Sequence, residues 1–216
     1  QCHSDAIALL ESLLVMELSS EQRIQVLTPL IHACVSSNEI NKVLTYAPEA
    51  LRYFVQQQNL AEQAELHEIL GYTYTYLYAF QEALEHHFKS LTIYQSLGQP
   101  QGLGEAYMSI GWTYFSMKDY ARAKQYFFAA QDIAKSLNDP TLNARAIGNL
   151  ANIYGDLKEY QTSTAYHRQA VEIFRGLQML GHVAVGYGNI DIDYCHQGKF
   201  KEGIVYFEKA LAQLET

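Results

Sequence analysis

Proline, cysteine and clustered positive charge are all scarce in this chain. Its 216 residues include only 4 Pro and 3 Cys. No stretch is low in complexity, so nothing reads as a long linker or disordered tract. Cys2, Cys34 and Cys195 are odd in number, far apart and without CxxC spacing. That pattern supports neither a disulfide framework nor a zinc knuckle, and three thiols in a reducing cytosol are expected. Lys and Arg number 15 against 23 Asp and Glu, a net charge of −8, with no basic run. Nucleic acids and anionic membranes are held by clustered cations that release counterions, so neither partner is expected. The acidic balance favours solubility. No apolar run approaches the roughly 18 residues that span a bilayer. No signal peptide opens the chain, and a cytoplasmic location is expected. The chain starts at Gln1 rather than Met and stops just after a helical pattern ending Phe207, Ala210, Leu211 and Leu214. An excised segment of a larger protein is the expectation.

Catalytic signatures are equally sparse. No GxSxG elbow, phosphate loop or paired-carboxylate motif occurs. Gly102-Leu103-Gly104 opens a helical stretch without a preceding strand, which leaves it no phosphate to cradle. His86 and His87 are adjacent, so on a helix they point about 100° apart and cannot chelate together. Cys195 and His196 remain as a metal pair, but the sequence shows no acidic or thiol companion beside them. No cofactor or metal is expected, and any catalysis would lie in a domain outside this segment.

What is abundant is periodic. Apolar residues make up 49% of the chain, enough for a continuous core, and 17 are Tyr. Tyr74, Tyr114, Tyr154 and Tyr194 recur at intervals of 40. Three residues before them stand Gly71, Gly111, Ala151 and Asp191; six after stand Phe80, Tyr120, Tyr160 and Phe200. Three further on come Ala83, Ala123, Ser163 and Gly203. The register holds without an insertion, which is the mark of a repeat architecture. A weaker unit lies one period earlier, in Leu30, Ile31, Cys34, Ile40, Val43 and Ala50. Residues 4–18 are apolar at helical spacing and read as a cap or the second helix of a degenerate unit.

Within a unit, Ala106, Tyr107, Ile110, Gly111 and Tyr114 follow one helical face, and Ala123, Phe127, Ala130, Ile133 and Ala134 follow another after a turn at 117–119. Small residues at Gly111 and Ala123 let the paired backbones approach, with aromatic rings beside them. His87 and His167 share the column of Phe127 and Phe207, and so are packing residues. Gly98-Gln99-Pro100 and Asn138-Asp139-Pro140 break one helix and start the next, with Asp139 placed to cap. Pro48 falls inside a second helix and is expected to kink it.

These columns resemble the tetratricopeptide repeat. The family signature appears as Tyr107, Ile110-Gly111, Tyr114, Ala123 and Phe127, over residues 24–216. The units are about six residues longer than the usual 34, and Asp191 stands where a small residue is expected. Such longer units resemble spindle-orientation adaptors, bacterial peptide-pheromone receptors and sensory arrays before bacterial output domains. The resemblance implies an all-α, right-handed superhelical solenoid of antiparallel helix pairs. A cap would occupy residues 1–23, followed by units at 24–63, 64–103, 104–143, 144–183 and 184–216.

In that family the first helix of each unit lines a concave groove. Two sets of residues are expected on it. Tyr72, Tyr76, Met108, Trp112 and Phe115 would form an aromatic shelf of the kind that anchors partners; packing on a flanking helix is the other reading. Arg145, Asn149, Asn152 and Asn189 offer amide donors and acceptors for a peptide backbone and a fork for a carboxylate. The segment from Arg145 to Asn152 resembles the groove motif whose Asn residues clamp extended peptides. The other reading has these amides bridging adjacent helices. Ile192 and His196 complete the expected wall, and Glu105, Thr75 and Asp156 fall on it by the same spacing.

The expected function is a protein- or peptide-binding module, the regulatory or sensory part of a larger bacterial cytosolic signalling protein. Its partner would be a peptide or its own output domain. A structural spacer or homodimerisation domain would instead bury Tyr72, Tyr76 and Phe115 between chains, and a small-molecule sensor would need a closed apolar pocket near Trp112.

Overall fold

The computed structural model describes residues 2–214. Gln1, Glu215 and Thr216 lie outside them, as do the side chains of Cys2, His3 and Leu214. Among the described residues there are eleven α-helices and no strand. They are α1 (Cys2–Leu14), α2 (Ser20–Ser36), α3 (Ile40–Gln56), α4 (Leu60–Tyr76), α5 (Phe80–Leu97), α6 (Pro100–Ser116), α7 (Tyr120–Leu137), α8 (Pro140–Asp156), α9 (Tyr160–Gly176), α10 (Leu180–His196) and α11 (Phe200–Leu214). The fold is an all-α solenoid of antiparallel pairs, in which α2 packs on α3, α4 on α5, α6 on α7, α8 on α9 and α10 on α11.

One backbone device ends the helices. A residue in the left-handed region stands at every twentieth position: Asn38, Gln58, Tyr78, Gly98, Lys118, Asn138, Lys158, Gln178 and Gly198. Each closes the preceding helix with the same two bonds. At the third hairpin, Lys118 N–H donates to Phe115 C=O at 2.8 Å and Asp119 N–H to Tyr114 C=O at 2.9 Å. These satisfy carbonyls that a helix end would otherwise leave without partners. Helix starts are capped less uniformly. Ser19 forms a capping box with Gln22, and Asp139 accepts from Leu142 N–H at 2.9 Å with Pro140 opening α8.

The constant spacing of these stops keeps the same columns inward. Leu30, Leu70, Ile110, Leu150 and Ile190 are all buried, each removing a branched side chain from water for about 1.5–3 kcal/mol. One residue later, Gly71 lies under the ring of His87 and Gly111 under that of Phe127; a Cβ on either would come within 2.6 and 2.7 Å of ring atoms. Where Asp191 replaces the small residue, its partner column gives way instead. Gly203 stands where Ala83 and Ala123 stand, and a Cβ there would meet Asp191 Oδ1 at 2.6 Å. Phe207 is the exception in its column, half-exposed where His87, Phe127 and His167 are buried.

Pro48 does not interrupt α3, and Pro29 sits within α2. Val43, Ala47, Ala50 and Phe54 pack in one core along both sides of Pro48 and hold the helix continuous. The chain divides into two compact units, Gln1–Gln99 and Pro100–Thr216. The first has a core of Leu27, Leu30, Ile31, Val43 and Leu70. Ile147, Val171, Phe174, Val183 and Ile190 lie in the core of the second.

Only two of the left-handed positions are glycine, so the others carry a Cβ penalty of about 1–2 kcal/mol. Lys158 is exposed at φ 64°. Lys158→Gly is expected to stabilise the protein by about 1 kcal/mol in urea unfolding, whereas Gln169→Gly on the exposed face inside α9 should cost about 1 kcal/mol.

Candidate functional site

In the unit from Pro100 to Thr216, the first helices α6, α8 and α10 bring together residues far apart in sequence. A cleft of about 230 Å³ is bordered by Phe115, Asn152, Asn189, Ile192 and His196 of the expected wall. Gly155, Asp156, Tyr160, Ser163, His167 and Asp193 complete its lining. Phe115, Tyr160 and His196 supply aromatic rings to that lining. Phe115 lies 5.3 Å from Trp112 and 6.0 Å from Tyr120, measured between ring centres. Tyr160 stacks on His196 at 5.2 Å, nearly parallel. The Tyr120 hydroxyl donates to Asp156 Oδ2 at 3.0 Å, tying α7 to α8.

The floor is polar. Asp193 is 4% exposed, and its Oδ2 accepts from the Thr164 hydroxyl at 3.1 Å. Burial pushes its carboxyl above the ordinary range, while the Ser163 and Thr164 hydroxyls pull the other way. His167, also 4% exposed, is lowered to about 4 by burial, so it is a neutral imidazole at pH 7. It makes no hydrogen bond with any described residue.

The asparagines behave alike. The side-chain amides of Asn149, Asn152 and Asn189 are half-buried and form no hydrogen bond among the described residues. Asn152 and Asn189 border the cleft; Asn149 does not. Arg145 is engaged elsewhere, donating to Glu105 Oε1 at 2.6 Å across successive first helices. Both partners are well exposed, so the pair adds at most about 1 kcal/mol.

Two residues expected on the open wall are not there. Met108 is 4% exposed and Thr75 is also buried. Helical spacing placed them at the margin of the apolar face, and the close approach of neighbouring helices widens that face to include them. Trp112 is half-buried against Phe115. In the other unit, Tyr72 and Tyr76 are 43% and 53% exposed and meet edge to face at 5.2 Å.

Asp193 was missed. Its column holds Thr73, Thr113 and Ile153, all buried, so an acidic residue there was the available signal. Cys195 also differs from expectation, because its Sγ lies 3.4 Å from Asp191 Oδ1. No group of three His, Cys, Asp or Glu side chains is placed to hold a metal ion among the described residues. None of the helices described is long and apolar enough to cross a membrane.

Residues 104–136 and 143–177 each match the tetratricopeptide repeat family. The chain carries tetratricopeptide repeats. These two matches span α6/α7 and α8/α9, the hairpins that supply Phe115, Asn152 and Tyr160 to the cleft. No curated protein matches the chain. Solved structures do. BtubC from P. vanneervenii is similar with a TM-score of 0.74 at 15% identity, over 99% of this chain and 89% of that one. Aspartyl phosphate phosphatase F from Bacillus subtilis has a TM-score of 0.76 at 16% identity, over 90% of this chain and 53% of that one. NprR in complex with its cognate peptide NprX has a TM-score of 0.78 at 15% identity, over 95% of this chain and 59% of that one. At such identities the likeness is one of fold.

The buried imidazole of the repeat gives a pH signature. An unfolded His titrates near 6.5 and His167 near 4, so between those values the unfolded chain holds more protons and stability falls as pH falls. His167→Phe, which installs the side chain found at Phe127, removes that loss. The stability gap between variant and wild type should widen by up to about 3 kcal/mol from pH 7 to pH 4 in denaturant titrations.

Proposed function

We propose that this chain is a peptide-binding tetratricopeptide module, and that the cleft between α8 and α10 in its second unit is where a peptide lies. The observation that carries the reading is the state of the asparagines. A fully buried amide must be bonded within the protein, and an amide bridging two helices has its bonds used up; a half-buried amide with no partner in the protein can take one from outside. Asn152 and Asn189 instead keep theirs free beside a cleft. An extended peptide supplies a donor and an acceptor at every residue, which is what an amide needs on both of its ends. Phe115 of the lining, with Trp112 and Tyr120 packed on its ring, adds apolar contact next to those polar groups, the usual composition of a binding hot spot.

NprR, similar in fold, was solved in complex with its cognate peptide NprX, and a Rap protein of similar fold was solved in complex with Competence and Sporulation Factor. These neighbours support the same role for this chain. We further read the module as the regulatory part of a larger bacterial cytosolic signalling protein, whose guest is a peptide or a segment of its own output domain. The division into a cap at 1–23 and five repeats from 24–63 to 184–216 belongs to this proposal. In this reading the repeats bind, and any catalysis lies outside them.

The single tryptophan offers a direct reporter. Titration of the chain with random hexapeptide pools should change Trp112 emission in a saturable way. Asn152→Ala and Asn189→Ala should each weaken binding about tenfold, the loss of one or two amide bonds. Binding kept in both variants would move the peptide away from this cleft.

A further inference from the structure

The geometry points to a positively charged group, a guanidinium or ammonium, as the part of the peptide that enters the cleft; this deepens the reading above and rests on it. The sequence alone suggested the reverse, a carboxylate met by Arg145. That side chain is held by Glu105, and no Lys or Arg lines the cleft. Two carboxyl groups do. Asp156 sits at the rim, bonded to Tyr120, and Asp193 lies on the floor.

Asp193 is built to be reached. Its Oδ2 accepts from Thr164; its Oδ1 lies on the cleft side of Gly155 with the Ser163 hydroxyl, 3.6 and 3.4 Å from where a Cβ of that glycine would stand, both ordinary contact distances. The other repeats offer no such approach to a carboxylate, because the same column holds Thr73, Thr113 and Ile153. A carboxylate buried without a cation is costly, and a cation arriving with the guest relieves that cost.

A second feature is independent of the carboxylates. His167 is 4% exposed, lines the cleft and bonds to no described residue. A neutral imidazole has one nitrogen able to accept, and a guanidinium or ammonium brings several donors. One donor to Asp193 and one to His167 would satisfy both buried groups at once. The stacked Tyr160 and His196 rings flank the entrance, and an aromatic face attracts a cation further.

The test uses the full chain at pH 8 with N-acetylated hexapeptide pools fixed at one position as Arg, Lys, Leu or Glu. Affinities are read from Trp112 emission and, independently, from anisotropy of labelled pools. The Arg and Lys pools should bind at least about tenfold more tightly than the Leu pool, and the Glu pool more weakly still. The Leu pool without acetylation then asks whether a free amino terminus serves as the cation. Asp193→Asn keeps the shape and the Thr164 bond, and should cut the Arg-to-Leu ratio to about threefold or less. Asp156→Asn, at an exposed position, should also lower that ratio, and it decides the matter if the Asp193→Asn variant fails a thermal melt. Equal affinity for Arg and Leu pools would overturn the cationic assignment while leaving peptide binding intact. A ratio kept in both variants would overturn it as well. Absence of binding by every pool would bring down the peptide reading and this inference together.

Discussion

Everything in this fold depends on helices that stop on schedule. A left-handed residue every twentieth position closes each helix from α2 to α10 with the same pair of backbone bonds, so these helices have nearly the same length. Because side-chain direction follows helix phase, equal lengths return the same face to the same neighbour. That is why Leu70, Ile110, Leu150 and Ile190 are all buried although they come from four different helices. A single residue inserted between two of these stops would rotate the face beyond it by about 100° and place polar groups in the core.

With the schedule fixed, the packing columns divide the labour between the two helices of a hairpin. A small residue on the first receives a ring from the second, as Gly111 receives Phe127 and Gly71 receives His87. This leaves the remaining face of the first helix out of the hairpin contact. In the second unit that face carries Asn152, Asn189 and Asp193, the groups with hydrogen-bonding capacity to spare. The site is thus a by-product of where the rings go.

The period of 40 was legible in the tyrosine columns, and with it the helix pairs, the packing role of His87 and His167, and the start of α8 at Pro140. The finer period of 20 was not. Its residues are Asn, Gln, Tyr, Lys and Gly, and only glycine announces a left-handed turn by its type. For the cleft, five expected residues converge on it, from Phe115 to His196. The engagement of Arg145 was not legible because its partner, Glu105, lies forty positions earlier, a pairing that exists only once the helices stack. Met108 was misjudged because burial at the edge of an apolar face depends on the neighbour's proximity, which spacing alone does not give. Asp193 went unnoticed because it stands in a packing column, where a charged residue reads as a departure rather than a site.

Whether the first helices of the second unit hold the guest is tested most directly by photo-crosslinking with hexapeptides carrying a benzophenone side chain, followed by mass mapping. The expected adducts fall within residues 149–156 of α8 and 189–196 of α10. Adducts concentrated on the outward faces of α7, α9 or α11 would contradict the groove as the place of binding.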